Sequence, residues 1–538
     1  MATQSMLLDL VAIGILLYGL TLLLQKRKSS IPLPPGPKPL PLVGNIRDLP
    51  PSGVREWEHW TKHKDLYEQG PISSISVLGT TIIILNSADA AFEHPFTQLL
   101  EKRSHHHSRP RMVFGGEMCG WDHLLVSQTD PNEVRELRKR IHQVIGTRSA
   151  LGKFEELMEV EVERFLLRTM RRPEEVVGNV KTETGAIILK VAYGYTIEPE
   201  KRDPLIDIAD RALAQFSAAT VPGAWMVDVI PALRYLPDWV PGTAFKQTAR
   251  EWKATFMDLA ERPLSLVKRQ MAENSHGGSY VSNLYGKAGD TVTAEEEERI
   301  KWSAAALYTG GADTSVSTMS LFFLAMVVNP EVQVKAREEI DRVVGSHKLP
   351  TFADRPRLPY IDAVVKECLR WHPIAPMGVP HVTTQDDVYQ DYLIPKGGLL
   401  IPNIWYGRQF SKLFTHDAQV YEDPMTFNPE RFLSSPPPPD PQDFVFGFGR
   451  RICPGKLLAE TSVWLTVAKS LAVFEISKGV ENGVEVEPDI RFTPGIISHP
   501  MPFKASIKPR SKQHEDLILK VEAEHPWEES DAEKLQSL

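Results

Sequence analysis

The sequence has little cysteine and no excess of positive charge. Only three of its 538 residues are cysteines, Cys119, Cys368 and Cys453, which is too few for a disulfide framework and fits a reducing compartment. The formal net charge is −8, which argues against nucleic acid as the main partner. The sequence also lacks a glycine-rich dinucleotide fingerprint, so we do not expect this chain to bind a dinucleotide itself.

One long apolar run is present, at the N-terminus. Met6–Leu24 contains a single charged residue, Asp9, and is long enough as a helix to cross a hydrocarbon core of about 30 Å. The basic residues that follow it predict a cytosolic body. A cleaved signal peptide and a buried helix are the alternatives, but a basic leading region and a small-residue cleavage site are missing. We therefore predict a membrane anchor over residues 1–30 and a stiff proline-rich hinge over residues 31–41.

The rest of the chain is predicted to be mainly α with small β-sheets. Residues 151–170 have helical apolar spacing, and the β-branched residues of 72–85 predict a hairpin. Residues 298–330 form one long helical candidate. The double glycine Gly310-Gly311 is expected to interrupt this helix midway, by a local widening or by the close approach of another group.

One cysteine lies in an unusual setting, the segment FGFGRRICPG at 446–455. Its glycines allow the backbone to approach another group closely. Arg450, Arg451 and the N-terminus of the following helix favour a thiolate at Cys453. No second cysteine or histidine ligand is near in sequence, which argues against tetrahedral zinc. A single thiolate suits a haem iron as its axial ligand, whereas the alternative is an inert buried cysteine.

This segment resembles the haem-binding loop of the cytochrome P-450 monooxygenases, F-x-x-G-x-R-x-C-x-G. The residues that carry the resemblance are Phe446, Gly449, Arg451, Cys453 and Gly455. The resemblance implies a cytochrome P-450 fold, haem b as cofactor and Cys453 as the axial ligand of the iron. It extends to about Arg510, so we predict a catalytic domain over residues 42–510. An acidic polar tail over 511–538 is expected to be a surface appendage.

Two further motifs are similar to those of the same family. Glu367 and Arg370 lie three positions apart, on one face of a helix, and with Arg431 they resemble the family's buried Glu–Arg–Arg network, whose role is structural. In the long helix, Asp313-Thr314 follows the double glycine and resembles the oxygen-binding kink of the family. This resemblance implies that Thr314 and Asp313 deliver protons during oxygen activation; the alternative is a capping Asp-Thr pair in a loop.

The carboxylates of haem require cationic or hydrogen-bonding partners. Arg451, Arg138 and His381 are the candidates that the resemblance indicates. The family usually has a tryptophan four positions before the arginine that Arg138 resembles, and this chain has Val134 there. The expected contact from a tryptophan is therefore missing.

The substrate pocket is expected to be apolar, which suits a lipophilic small molecule held by shape. The wall residues that we predict by position are Phe114, Trp225, Leu307, Met377 and Ile497. The apolar loop 234–245 is expected to contact membrane lipid.

The predicted activity is the insertion of one oxygen atom from dioxygen into this substrate. Arg450, Arg451 and Lys456 form a basic patch for an acidic redox partner. The resemblance implies an NADPH–cytochrome reductase, with a cytochrome b-type donor as a second source of electrons, on the endoplasmic reticulum membrane. The general look of the chain is that of fungal enzymes of secondary metabolism.

Three alternatives remain open. The first is an isomerase or dehydratase of the same fold, which the Asp-Thr pair argues against. The second is a non-catalytic haem binder, motivated by Val134 and by two apparent insertions at 93–98 and 406–415, which are either surface loops or errors of gene structure. The third is a structural membrane protein, which leaves the cysteine loop unexplained.

Overall fold

The computed structural model describes residues 31–51, 53–66, 72–86, 107–199, 201–221, 223–289, 292–405, 415–418 and 420–537. The predicted anchor and the apparent insertion at 93–98 lie outside these residues. Within them the chain is mainly helical with small β-sheets, as predicted from the sequence.

The helices that build the body are amphipathic or buried, and seven of them begin at a capping side chain or at a proline in the first turn. They are α1 Glu56–Leu66, α2 Pro131–Ile145, α3 Arg148–Leu151, α4 Glu155–Arg171, α5 Val176–Tyr193, α6 Pro204–Ala219, α7 Met226–Val229, α8 Ala244–Ala272, α9 Tyr280–Ala288, α10 Ala294–Val328, α11 Pro330–Val343, α12 Pro359–Trp371, α13 Lys456–Val473, α14 Lys512–Glu524 and α15 Ala532–Gln536.

The strands form one four-stranded sheet and three two-stranded sheets. They are β1 Ile72–Val77, β2 Thr80–Leu85, β3 His381–Val382, β4 Asp387–Tyr389, β5 Tyr392–Ile394, β6 Leu399–Pro402, β7 Phe474–Lys478, β8 Val480–Glu481, β9 Val484–Glu485 and β10 Ala505–Pro509. The predicted hairpin is confirmed, because β1 and β2 pair antiparallel. The larger sheet has the order β1-β2-β6-β3, and the others pair β7 with β10, β4 with β5, and β8 with β9.

The long helix α10 lies in the main hydrophobic core and packs most extensively against α5. Among the described residues it alone is long and apolar enough to cross a membrane, but its most apolar stretch is 72% buried inside the protein. The predicted interruption is wrong, since the helix is continuous through Gly310 and Gly311. The predicted close approach is observed: a Cβ added at Gly311 would lie 2.9 Å from Cγ1 of Ile188 on α5.

The proline-rich hinge packs against the sheet. Ser74 of β1 donates its backbone N–H to Pro35 at 2.8 Å and its hydroxyl to Pro34 at 2.6 Å. At Gly36 a Cβ would lie 1.8 Å from the Ser74 carbonyl oxygen, so only glycine fits this approach.

The C-terminal segment is not the surface appendage that we expected. Its two helices α14 and α15 bury Ile518 and Leu535 completely. Trp527, between them, lies under the guanidinium group of Arg164 at 5.0 Å. Arg164 also donates to the Pro526 carbonyl at 2.8 Å. The acidic tail is therefore packed on α4 because it carries apolar anchors among its charges.

The described residues on either side of the apparent insertion at 406–415 contact each other. Residues 406–414 lie outside the described residues, but both flanks are described. Thr415 donates its hydroxyl to the Trp405 carbonyl at 3.1 Å, and the rings of Trp405 and His416 stack with centroids 4.4 Å apart. The extra residues therefore connect two points that already touch.

Candidate functional site

The segment around Cys453 is a tight loop that leads into helix α13. The Cys453 N–H donates to the Phe446 carbonyl at 2.8 Å, which closes the loop across the intervening residues. Gly447 and Gly449 have φ of 80° and 53°, a conformation that glycine adopts without strain. Gly455 precedes α13 and lies against the thiol, since a Cβ there would be 3.8 Å from Cys453 Sγ. The five residues of the predicted motif are thus brought together in one loop.

The electrostatic surroundings of Cys453 differ in detail from the sequence-based expectation. Burial raises the pKa of the Cys453 thiol, while the N–H groups of Gly455 and Lys456 and the charges of Arg138 and Lys456 act in the opposite direction. Arg451, which we expected to favour the thiolate, instead directs its guanidinium to backbone carbonyls on another segment. Burial in the loop therefore opposes ionisation of the thiol, and a cation beside the sulfur would favour it.

Three arginines converge beside this loop without a carboxylate among the described residues. Arg451 donates to the carbonyls of His107 at 2.9 Å and Gln128 at 2.7 Å, and Arg138 donates to the Ile452 carbonyl at 2.7 Å. Burial and the charge of Arg138 lower the pKa of Arg451 to about 10. These groups repel each other, so the arrangement favours an anion between them.

The third of these arginines, Arg109, was missed in the sequence. It is buried, and its guanidinium donates to the carbonyls of Val379 at 2.7 Å and Pro380 at 2.9 Å. Burial and the charge of Arg451 lower its pKa to about 9. His381, a predicted site residue, is buried at the start of β3 with its ring centroid 6.5 Å from that of His107. No local motif marks Arg109, because Val379 and Pro380 lie 270 and 271 positions away from it.

The predicted acid–alcohol pair lies at an opening between two buried stretches of helix α10. Gly310 is exposed and nothing lies within 4 Å of a Cβ added there. Thr314 donates its hydroxyl to the Gly310 carbonyl at 2.7 Å, and Asp313 contacts His499 Nε2 at 3.1 Å. The pair is therefore part of a helix and not a capping pair in a loop.

Glu367, Arg370 and Arg431 form a charge network in which the first two side chains are fully buried. Arg370 binds Glu367 through two parallel hydrogen bonds of 2.8 Å, and both side chains are 0% exposed. Arg431 Nε lies 3.2 Å from the same carboxylate, and the Asn428 N–H donates to it at 2.7 Å. Arg370 also binds the Thr415 carbonyl at 2.8 Å. The network ties α12 to the segment that precedes the cysteine loop.

The five predicted pocket residues are not all brought together. Phe114 is completely buried and stacks on Trp225 with ring centroids 3.5 Å apart, and both pack with Leu307 in the main core. Met377 packs in a separate apolar cluster against the sheet, and Ile497 is half-buried in the loop 492–500. Phe114 is thus closed over by an aromatic neighbour.

Comparison with known proteins gives a consistent result. The family described as cytochrome P-450 matches residues 34–507. The chain is 44% identical to the cytochrome P-450 monooxygenase ppsD of Aspergillus oryzae, over 99% of this chain and 100% of the relative. It is 46% identical to the cytochrome P-450 monooxygenase claR of Ampulloclitocybe clavipes, over 98% of this chain and 95% of the relative.

A relative with a more specific name is the O-methylsterigmatocystin oxidoreductase of Aspergillus flavus, which is 42% identical over 96% of this chain and 95% of its own. The family model matches most of the chain, and the relatives share this identity over nearly their whole length. Together these matches establish the protein family. This chain belongs to the cytochrome P-450 monooxygenases, a family whose cofactor is haem.

Proposed function

We propose that this chain is a membrane-anchored monooxygenase that inserts one oxygen atom from dioxygen into a lipophilic fungal secondary metabolite. Electrons come from an NADPH–cytochrome reductase. The observation that carries the proposal is the convergence of three unneutralised guanidinium groups, of Arg109, Arg138 and Arg451, beside a cysteine loop.

The residues present fit haem. The cofactor requires a thiolate for its iron and cationic partners for two carboxylates. Cys453 supplies the thiolate, and the three guanidiniums together with His381 supply the cationic and hydrogen-bonding side. Phe446, Gly449 and Gly455 shape the loop so that its backbone can lie against the macrocycle. When bound, haem supplies the activation of dioxygen, chemistry that side chains alone do not perform.

The protein's part in the chemistry is proton delivery and the exclusion of water. We assign proton delivery to Asp313 and Thr314, whose side chains lie beside the opening at Gly310. The Thr314 hydroxyl, which donates to the Gly310 carbonyl, can turn to donate into that opening. The Asp313 carboxyl is then the group that returns a proton to the path.

The remaining assignments concern support and access. We propose that Glu367, Arg370 and Arg431 hold the segment before the cysteine loop in place. We assign Phe114, Trp225, Leu307, Met377 and Ile497 to the substrate side, where apolar walls select by shape. One relative is named an O-methylsterigmatocystin oxidoreductase, which supports a small organic metabolite as the substrate class.

Redox partner and membrane complete the proposal. Arg450, which is exposed, and Lys456, beside the thiol, form a basic surface for an acidic reductase, with a cytochrome b-type protein as an alternative donor. The exposed Trp239 and Tyr235, at 82% and 74% exposure, suit contact with lipid. We propose the endoplasmic reticulum membrane, with the body in the cytosol and residues 1–30 as the anchor.

The test is a carbon monoxide difference spectrum of the dithionite-reduced full chain in microsomes. We expect the red-shifted Soret band of thiolate-ligated haem, and its loss in Cys453→Ser. Microsomes that also contain the reductase are then incubated with lipophilic small molecules, O-methylsterigmatocystin among them, under ¹⁸O₂. One labelled oxygen atom per product molecule supports monooxygenation, whereas product without label or without reductase supports the isomerase or dehydratase alternative.

A further inference from the structure

The carboxylate of Asp313 is held by a histidine from a distant part of the chain. We propose that His499 is a positioning residue for Asp313: its imidazole N–H fixes the carboxylate from which protons are delivered. This inference rests on the proposed function, because it presupposes the role of Asp313. His499 Nε2 lies 3.1 Å from Asp313 Oδ2.

The backbone of His499 is fixed by a closed loop, residues 492–500. An isolated β-bridge joins Phe492 to Pro500 at the ends of the loop. Inside it, the Thr493 N–H donates to the His499 carbonyl at 2.8 Å, and the His499 N–H donates to the Thr493 hydroxyl at 2.9 Å. Because donor and acceptor of its peptide groups are both engaged, His499 has little freedom to leave its position.

The same loop is docked on the helix that carries Asp313. Ser317, one turn after Asp313, donates its hydroxyl to the Ser498 carbonyl at 2.6 Å. Ser498 donates its N–H to the Ile374 carbonyl at 2.8 Å, and its hydroxyl lies 2.8 Å from Nε2 of the buried His372. These contacts fix the position of the loop along α10, and the imidazole of His499 therefore lies within hydrogen-bond distance of Asp313.

The contact places a constraint on the chemistry of the carboxylate. With Oδ2 held by the imidazole, the rotamer of Asp313 is fixed and so is the direction of Oδ1. The His499 side chain is 30% exposed and the Asp313 side chain is 17% exposed. His499 is therefore the more solvent-accessible member of the pair. A partly exposed pair contributes little to folding, so replacing His499 should leave the fold intact.

The experiment compares His499→Phe, which keeps a ring and removes the donor, with His499→Gln, whose amide keeps a donor of similar reach. His276→Ala is the control, because His276 is an exposed histidine. Each full-chain holoprotein is first required to show the thiolate band with carbon monoxide. Hydrogen peroxide released per NADPH oxidised is then measured with the reductase and without added substrate, because failed proton delivery releases peroxide and successful delivery yields water.

We expect His499→Phe to raise the peroxide fraction roughly three- to tenfold, less than the factor of about 10² to 10⁴ that a proton-transfer group itself contributes. His499→Gln and His276→Ala should stay near the wild-type value, and Asp313→Asn should exceed His499→Phe. Equal fractions in the wild type and His499→Phe, with Asp313→Asn raised, would overturn the inference and leave the proposed function standing. No change in Asp313→Asn would remove Asp313 from proton delivery and with it the inference.

A second measurement does not depend on turnover or on the Phe variant. In the full chain in detergent micelles, labelled at histidine ¹³Cε1, the His499 resonance is identified by its loss in His499→Gln. We expect Asp313→Asn to shift this resonance and His276→Ala to leave it unmoved. A resonance that does not respond to Asp313→Asn would show that the contact is not made in solution, and the inference would fail.

Discussion

The replacement of Glu367 by glutamine should destabilise the protein strongly. The Glu367 carboxylate receives both arms of Arg370, the Arg431 Nε and the Asn428 N–H, all within 3.3 Å. Glu367 and Arg370 are 0% exposed, so water cannot solvate the Arg370 guanidinium once its negative partner is lost. Removing one partner of a buried pair costs about 3–5 kcal/mol, which is a factor of roughly 10² to 10⁴ in the ratio of folded to unfolded protein.

The matched control is Glu430→Gln, at the position directly before Arg431. Glu430 pairs with Lys335 at 2.6 Å, but the two side chains are 51% and 46% exposed, so the expected loss is about 0–1 kcal/mol. Urea unfolding of the full chain in detergent, followed by tryptophan fluorescence and by the thiolate band with carbon monoxide, measures both variants. If the free energies of unfolding of Glu367→Gln and Glu430→Gln differ by less than about 1 kcal/mol, the loss of the Glu367 charge does not leave an uncompensated buried arginine, and the reasoning is wrong.

Three further results are expected from the same geometry. Cys453→Ser should lose the thiolate band while Cys119→Ser keeps it, because only the first cysteine lies in the loop beside the arginines; equal spectra would contradict this ligand assignment. Arg109→Leu should speed haem transfer to apomyoglobin roughly ten- to hundredfold, as expected for a charge-assisted bond of about 1.5–3 kcal/mol, and Arg111→Leu, at a side chain 73% exposed, should not. Burial raises the pKa of Glu183 to about 8, so the folded state holds a proton that the unfolded state has lost above about pH 4.5, and stability falls as the pH rises towards 8. Glu183→Gln should therefore stabilise the protein more at pH 8.5 than at pH 5.5 in urea unfolding, and an equal effect at both values would argue against a buried neutral acid.

The sequence was most informative where the chemistry lies within a few consecutive residues. The loop around Cys453, the pair Glu367 and Arg370, and the acid–alcohol pair have their residues at fixed short spacing, so a pattern identifies them. The hairpin was predicted for the same reason. The continuity of the helix through Gly310 was not predicted, because packing of the helix in the core offsets the low helix propensity of the two glycines.

Contacts between distant segments were not predictable from the pattern. Asp313 and His499 are 186 positions apart, and Arg109 and Val379 are 270 apart. Their meeting depends on how the loop 492–500 docks and on how β3 joins the sheet, and neither leaves a periodic signal. The tail was mistaken for an appendage because its few apolar anchors, such as Trp527, lie among many charges.

Two sets of arginines among the described residues are held in different ways, and we propose that the difference separates structural support from cofactor binding. Arg370 is neutralised by the Glu367 carboxylate, to which it donates two hydrogen bonds. Arg109, Arg138 and Arg451 instead donate to backbone carbonyl oxygens, which orient a guanidinium without cancelling its charge. Carbonyl partners thus fix these arginines in direction and leave their positive potential available to an anionic group. Such an arrangement costs folding energy through desolvation and mutual repulsion, and we propose that the binding of the two haem carboxylates offsets that cost.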